Sequence, residues 1–120
     1  MLEMLRRILA ELRKKYDEQS VSGTTTDMFV VVLDWDTRGL VNKSIFIKNT
    51  GDANAMRVKV SRYANYNGDI EYIEDERELL AGELIDYQLN AASARIKVSV
   101  KSSSAGNSTT YDIEAIGNVW

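Results

Sequence analysis

The 120-residue chain contains no histidine, no cysteine and no proline. Without histidine and cysteine it lacks Ser-His-Asp and Cys-His nucleophilic machinery, thiol redox chemistry, a disulfide framework and the nitrogen or sulfur ligands of zinc. Carboxylate, lysine, tyrosine and hydroxyl remain for chemistry, and the expectation is no catalytic residue, no cofactor and no metal. Without proline, exposed sheet edges must be guarded by charge, a task that falls to residues such as Arg57, Lys59 and Lys101. Glycine is sparse: Gly51, Gly68, Gly82 and Gly106 stand alone where turns are expected, so there is no glycine-rich phosphate loop. The longest apolar run, residues 28–33, falls far short of the ~20 residues of a membrane-spanning helix. Residues 1–15 are broken by Glu3, Arg6, Arg7 and Glu11 and have no apolar centre of a signal peptide. The expectation is synthesis in the cytoplasm, with no membrane as partner.

What is present is a globular composition, 44% hydrophobic and 28% charged, at a length that suits one domain. Net charge is −3, but it is unevenly spread: residues 1–15 hold five basic and two acidic side chains, the remainder ten and sixteen. An acidic body is a poor nucleic-acid binder. A basic segment attached to it needs its own explanation.

Residues 1–18 read as a helix. Leu2, Leu5, Leu9, Leu12 and Tyr16 recur at alternating spacings of three and four and share one stripe, with Arg6 and Arg13 among the residues on other faces. Leu, Arg, Lys, Glu and Ala dominate, all good helix formers. The pattern stops near residues 17–20, and 19–25 reads as a linker ahead of a domain over 26–120. An isolated helix this short is marginal in water, so its stripe must be covered by its own domain or by other copies. Leu2, Leu5, Leu9, Leu12, Tyr16, Arg6 and Arg13 are therefore the candidate interface.

From Thr25 the pattern changes to period two. Residues 28–33 suit a buried strand, and Ser44-Ile45-Phe46-Ile47-Lys48 a second one closed by Asn49-Thr50-Gly51-Asp52. Met56, Val58 and Val60 alternate with Arg57, Lys59 and Ser61, as do Ile96, Val98 and Val100 with Lys97, Ser99 and Lys101. Asn67-Gly68 is a hairpin signal. Residues 84–89 and 109–116 complete the pattern. The fold class expected is all-β: an antiparallel Ig-like or jelly-roll-type β-sandwich of about seven strands, preceded by one N-terminal amphipathic α-helix, with a compact barrel as alternative.

Few clusters suggest chemistry. Asp34-Trp35-Asp36-Thr37-Arg38-Gly39 echoes the opening of a calcium loop, but the fifth position is Arg38 and the twelfth is Ile45 where a bidentate Glu is needed. It reads better as a loop between strands. Glu74, Asp75, Glu76 and Glu78 are contiguous on what reads as a solvated polar loop, not a pair held apart across a cleft. Trp35 and the hairpin tyrosines Tyr63, Tyr66 and Tyr72 are candidate ligand or partner contacts, since exposed aromatics stack on sugars or anchor interfaces. Cross-strand pairing explains the tyrosines equally well. Trp120 is expected to pack on the domain or on a partner.

The order Ser44-Ile45-Phe46-Ile47-Lys48-Asn49-Thr50-Gly51, Leu80-Ala81-Gly82-Glu83, Ile96-Lys97-Val98-Ser99-Val100-Lys101-Ser102 and Thr109-Thr110-Tyr111-Asp112-Ile113-Glu114-Ala115-Ile116-Gly117 resembles small β-sandwich structural proteins of tailed bacteriophages, the capsid-decorating or cement-like kind. The resemblance implies a non-enzymatic virion protein that stabilises the capsid. Its partners would be the major capsid protein or another virion protein, its state a homo-oligomer with a trimer favoured, and its location the virion, after synthesis in the host cytoplasm. The same turn signals resemble adhesion-type sandwich modules of prokaryotic surface proteins, which implies carbohydrate or ligand binding instead.

Overall fold

The computed structural model describes residues 2–14 and 16–119, with residues 9–14 described by backbone alone. One helix, α1 (Leu2–Lys14), precedes eight strands: β1 (Tyr16–Thr24), β2 (Val30–Asp36), β3 (Asn42–Asn49), β4 (Met56–Tyr63), β5 (Tyr72–Leu79), β6 (Leu84–Gln88), β7 (Arg95–Ser102) and β8 (Thr110–Asn118). They form two four-stranded antiparallel sheets, β1-β8-β3-β6 and β2-β7-β4-β5. Every connection between consecutive strands crosses from one sheet to the other except β4 to β5. That winding is the jelly roll, so the sandwich is of the jelly-roll rather than the Ig-like kind.

Period-two alternation builds the core. Leu33 and Trp35 of β2, Ile45 and Ile47 of β3, Met56, Val58 and Val60 of β4, Ile96, Val98 and Val100 of β7, and Tyr111, Ile113 and Ala115 of β8 are all buried between the sheets. Burying an aliphatic side chain of this size contributes roughly 1.5–3 kcal/mol.

Several sequence expectations are corrected. The helix ends at Lys14, not 18, and the segment read as linker is β1, paired with β8 along its whole length from Tyr16↔Asn118 to Thr24↔Thr110. Tyr16 therefore lies on a strand, not on the helical stripe. The inward positions of β1 are Asp17, Gln19, Val21 and Gly23, only one of them a large apolar residue, so hydrophobic alternation is absent. Strands number eight rather than about seven for that reason. Residues 28–33 are not a uniformly buried strand: Met28, Val30 and Val31 are exposed, and a register shift between Val31 and Leu33 lets adjacent apolar residues face outward before alternation resumes. Asp34 and Asp36 belong to β2, not to a loop. The acidic run at 74–78 belongs to β5, an edge strand whose carboxylates meet arginines. Asn67-Gly68 lies in an eight-residue connection, 64–71, where the Gly68 N–H donates to the Asn65 carbonyl at 3.1 Å.

At one end of the sandwich the loops are tied by Asn49, which is fully buried. Its Nδ2 donates to the Asn54 and Leu79 carbonyls at 3.0 and 3.1 Å, and its Oδ1 accepts from the Gly51 N–H at 3.1 Å and the Thr109 hydroxyl at 2.8 Å. Gly51 has no room for a side chain, since a Cβ there would lie 1.9 Å from the Thr109 hydroxyl. The Asn-Thr-Gly turn is thus a structural knot. Asn49→Ala is expected to cost about 2–4 kcal/mol in urea denaturation, because it orphans buried partners. Asn107→Ala, on the exposed surface, should stay within about 0.5 kcal/mol.

Candidate functional site

The pairings Tyr16↔Asn118, Asn42↔Asn118, Asp36↔Arg95 and Tyr63↔Arg95 bring the C-terminal end of α1 and the loops 37–41, 64–71 and 89–94 to the opposite end of the sandwich. The candidate residues on the helix and those around Tyr63, Tyr66 and Tyr72 therefore belong to one end of the molecule. No sequence spacing linked them.

The aromatic candidates separate on inspection. Trp35 is 1% exposed and cannot touch a ligand, which corrects the expectation that it does. Its side chain points inward because the Asp34-Trp35-Asp36 alternation is that of a strand. The indole N–H donates to Asp17 Oδ2 at 2.6 Å, joining β2 in one sheet to β1 in the other. Gly117 of β8 makes the space for the ring, since a Cβ there would stand 3.1 Å from Trp35 and 2.8 Å from Leu40. Tyr63 is also buried, with Lys97 Nζ 5.0 Å from its ring centre and its hydroxyl donating to Glu71 at 2.9 Å. Tyr66 lies between two guanidinium groups, Arg38 at 4.1 Å and Arg95 at 5.0 Å from its ring centre. Only Tyr72 is open, at 59% exposure, with Arg62 5.1 Å from its ring centre.

The guanidiniums over Tyr66 are themselves committed. Arg95 Nε donates to Asp34 Oδ1 at 2.6 Å, a second nitrogen of the same group pairs with Asp34 Oδ2, and a third donates to the Tyr66 carbonyl at 3.1 Å. Arg38 makes a two-point pair with Asp36, at 2.9 and 2.7 Å. The carboxylates that echoed a calcium loop are thus neutralised by arginine. Among the described residues no three carboxylates gather to hold a metal ion. Acid–base work has little to use here: Asp75 accepts from the Tyr87 hydroxyl at 2.7 Å and from Arg77 at 2.7 Å. Burial, reinforced by that bond to Asp75, holds the Tyr87 hydroxyl far above its ordinary pKa.

Lys43 is the functional-looking group that sequence reasoning missed. It is 1% exposed on β3, and its Nζ donates to the Leu40 and Ala91 carbonyls, both at 3.2 Å. Burial, with Arg62 nearby, lowers its pKa. It lies beneath loops 37–41 and 89–94 and fixes their approach. The alternation Lys43, Ile45, Ile47 was a visible signal that it faces inward.

The surface carries shallow depressions rather than a cleft. One, about 570 Å³ and wide open, lies on the outer face of β1-β8-β3-β6 and is lined by Glu18, Gln19, Ser20, Phe46, Glu114, Ala115 and Ile116. A second shares Phe46 and Glu114 and extends to Lys48, Leu84 and Asp112. The helix stands apart from any such surface: Leu2, Met4, Leu5 and Ile8 are 64%, 64%, 53% and 49% exposed. The side chains of Leu9, Leu12 and Arg13, and Trp120 altogether, lie outside the described residues.

No family model matches the chain, and no curated protein matches it. Solved structures do share its fold. The chain is similar to the PBSX exported protein XepA, with a TM-score of 0.64 at 9% identity over 85% of this chain and 37% of that one. It is similar to the Bacillus endospore appendages described as disulfide-linked pili, with a TM-score of 0.57 at 8% identity over 88% of each chain. It is also similar to the SPBc2 prophage-derived protein YomS, with a TM-score of 0.54 at 12% identity over 85% of this chain and 93% of that one. At such identities the likeness is one of fold.

Two pH responses follow from the ion pairs and the buried lysine. Hydrogen bonds from Arg95 hold Asp34 below the ordinary carboxylate pKa of 3.8. The unfolded chain thus takes up this proton first, and the stabilisation is complete above that value and drains away as the pH falls through the folded one. Asp34→Asn should flatten part of the loss of Tm between pH 5 and about pH 2 in circular-dichroism melts. For Lys43 the folded pKa is the lower of the two, so the unfolded chain binds more protons in the window below 10.5. Wild-type stability measured against Lys43→Met should therefore rise with pH from neutral towards pH 10.

Proposed function

We propose that the chain is a non-enzymatic structural protein that binds an assembled phage particle in the decoration or cement role, as a homotrimer. The observation that carries this reading is the uncovered helix. A 13-residue amphipathic helix is marginal alone, and Leu2, Leu5 and Ile8 are not covered by their own sandwich, so a second surface must supply the burial. Its arginines suit an acidic counterpart. The committed state of the carboxylates and arginines at the loop end, with no cleft among them, supports a mechanical role over a catalytic one.

The fold likeness to XepA and YomS is in keeping with a phage origin, though it speaks for architecture alone. The partner in this reading is the major capsid protein or another virion protein, and the site of action is the virion, reached from the host cytoplasm. A small domain that binds only the assembled shell stabilises it by linkage, and several weak arms act together through effective concentration. With no cysteine, disulfides take no part in such contacts. The alternative, a carbohydrate-binding module, would use Tyr72, the open ring among Trp35, Tyr63, Tyr66 and Tyr72, to stack on a sugar.

Light scattering after size exclusion tests this on the full chain and on a chain lacking residues 1–14. The deletion must stop there because β1 starts at Tyr16. The expected result is a trimer for the full chain, monomer for the shortened one, and particle binding by the trimer. A full chain that stays monomeric, ignores particles and changes its tyrosine fluorescence with sugar would replace this reading with the alternative.

A further inference from the structure

The outer face of the β1-β8-β3-β6 sheet and the helix are complementary in charge and in apolar content. Three rows cross that face: Glu18, Ile116, Ser44 and Gln88; Ser20, Glu114, Phe46 and Asp86; Ser22, Asp112, Lys48 and Leu84. They hold four carboxylates and one cation. Among them Phe46 and Ile116 are each 39% exposed and Leu84 61%. The two shallow depressions share Phe46 and Glu114, so exposed apolar residues and carboxylates border one another on this face. The helix offers the converse, with exposed Leu2, Leu5 and Ile8 bordered by Arg6.

Dimensions fit as well. A 13-residue helix is about 20 Å long, and four strands span about 14 Å between their outermost axes. One residue separates Lys14 from Tyr16, whereas helix-to-strand reversals use about 2–6. So short a connection disfavours folding the helix back on its own sheet.

We infer that α1 of one copy lies across the outer face of the β1-β8-β3-β6 sheet of a second copy, its apolar residues on Phe46, Ile116 and Leu84 and Arg6, at the border of the stripe, toward Glu18 and Glu114. This rests on the self-assembly reading above and names the surface that reading leaves open. The contact is heterologous: each copy gives a helix and receives one, and a ring forms where the rotation closes. It differs from a helix bundle, in which the helices would bury one another.

Two full-chain double variants separate the possibilities, Leu5→Glu with Ile8→Glu on the helix and Glu18→Lys with Glu114→Lys on the sheet. All four positions are exposed, so thermal melts should match that of a wild-type monomer. Each variant alone is expected to run as a monomer where the wild type is assembled, its self-association weakened at least tenfold. Mixed in equal amounts they should form a one-to-one dimer, because the intact helix of the sheet variant meets the intact sheet of the helix variant. If the sheet variant assembles like wild type, or the mixture remains two monomers, the helix-on-sheet contact is wrong, and oligomerisation of the wild type leaves the structural reading standing. A monomeric wild type overturns the helix-on-sheet contact, and particle binding then decides the structural reading by itself.

Discussion

The buried indole of Trp35 is the constraint on which much of the molecule depends. An indole N–H enclosed between two sheets must find an acceptor, and the acceptor is Asp17, on the opposite sheet. That one bond explains why a polar segment is a strand at all. β1 contributes little hydrophobic area, so it is held by its ladder to β8, by Asp17 beneath the indole, and by Gly23, whose bare Cα admits the Tyr111 ring. Gly117 completes the arrangement by leaving space on β8 for Trp35. Because β1 is fixed, the helix that precedes it leaves the sandwich from a defined strand end, beside the end of β8.

The winding then sets the charge pattern. The outward positions of β4 and β7 collect Arg57, Lys59, Lys97 and Lys101, with the Phe29 ring between Lys59 and Lys101 at 5.1 and 5.3 Å. The opposite sheet turns out Glu18, Asp86, Asp112 and Glu114 against Lys48. Pairing of Arg57 and Arg62 with Glu76 and Glu74 on β5 spends part of the basic charge within its own sheet. The acidic sheet has no such internal partners across its rows beyond Lys48. A net charge of −3 therefore conceals a molecule with two unlike faces and a basic arm.

How much of this was legible in the sequence follows from where the burial comes from. Strands that bury themselves by alternation, such as those of Met56-Arg57-Val58-Lys59-Val60 and Ile96-Lys97-Val98-Ser99-Val100, were plain, and with them the all-β sandwich. Strands stabilised by partners elsewhere in the fold were not. β1 depends on Trp35 and Tyr111, both distant in sequence. β5 carries charge on an edge, where Arg57 and Arg62 of β4 decide its state, so its acidic run reads as a loop until β4 is placed beside it. Trp35 was misread for a related reason: flanking aspartates suggest solvent, yet one wet and one dry face is what an outer strand needs. Of the tyrosines singled out in the sequence, Tyr66 lies in the 64–71 connection and Tyr63 and Tyr72 end the strands that flank it. Which of them is open depends on Arg38, Lys97 and Arg95, which topology alone brings near.

A jelly roll offers a partner two sheet faces and the edges of its outer strands. Here many of the charges are answered within the fold, while the exposed apolar residues of α1 and those around Phe46 are not. The two unanswered features differ in curvature, convex against shallowly concave, and in charge sign. Each exposes only a few apolar side chains, so one such contact is weak by itself. In the self-assembly proposed above, several contacts closed together would be firmer than any one of them alone, because each closure raises the effective concentration for the next.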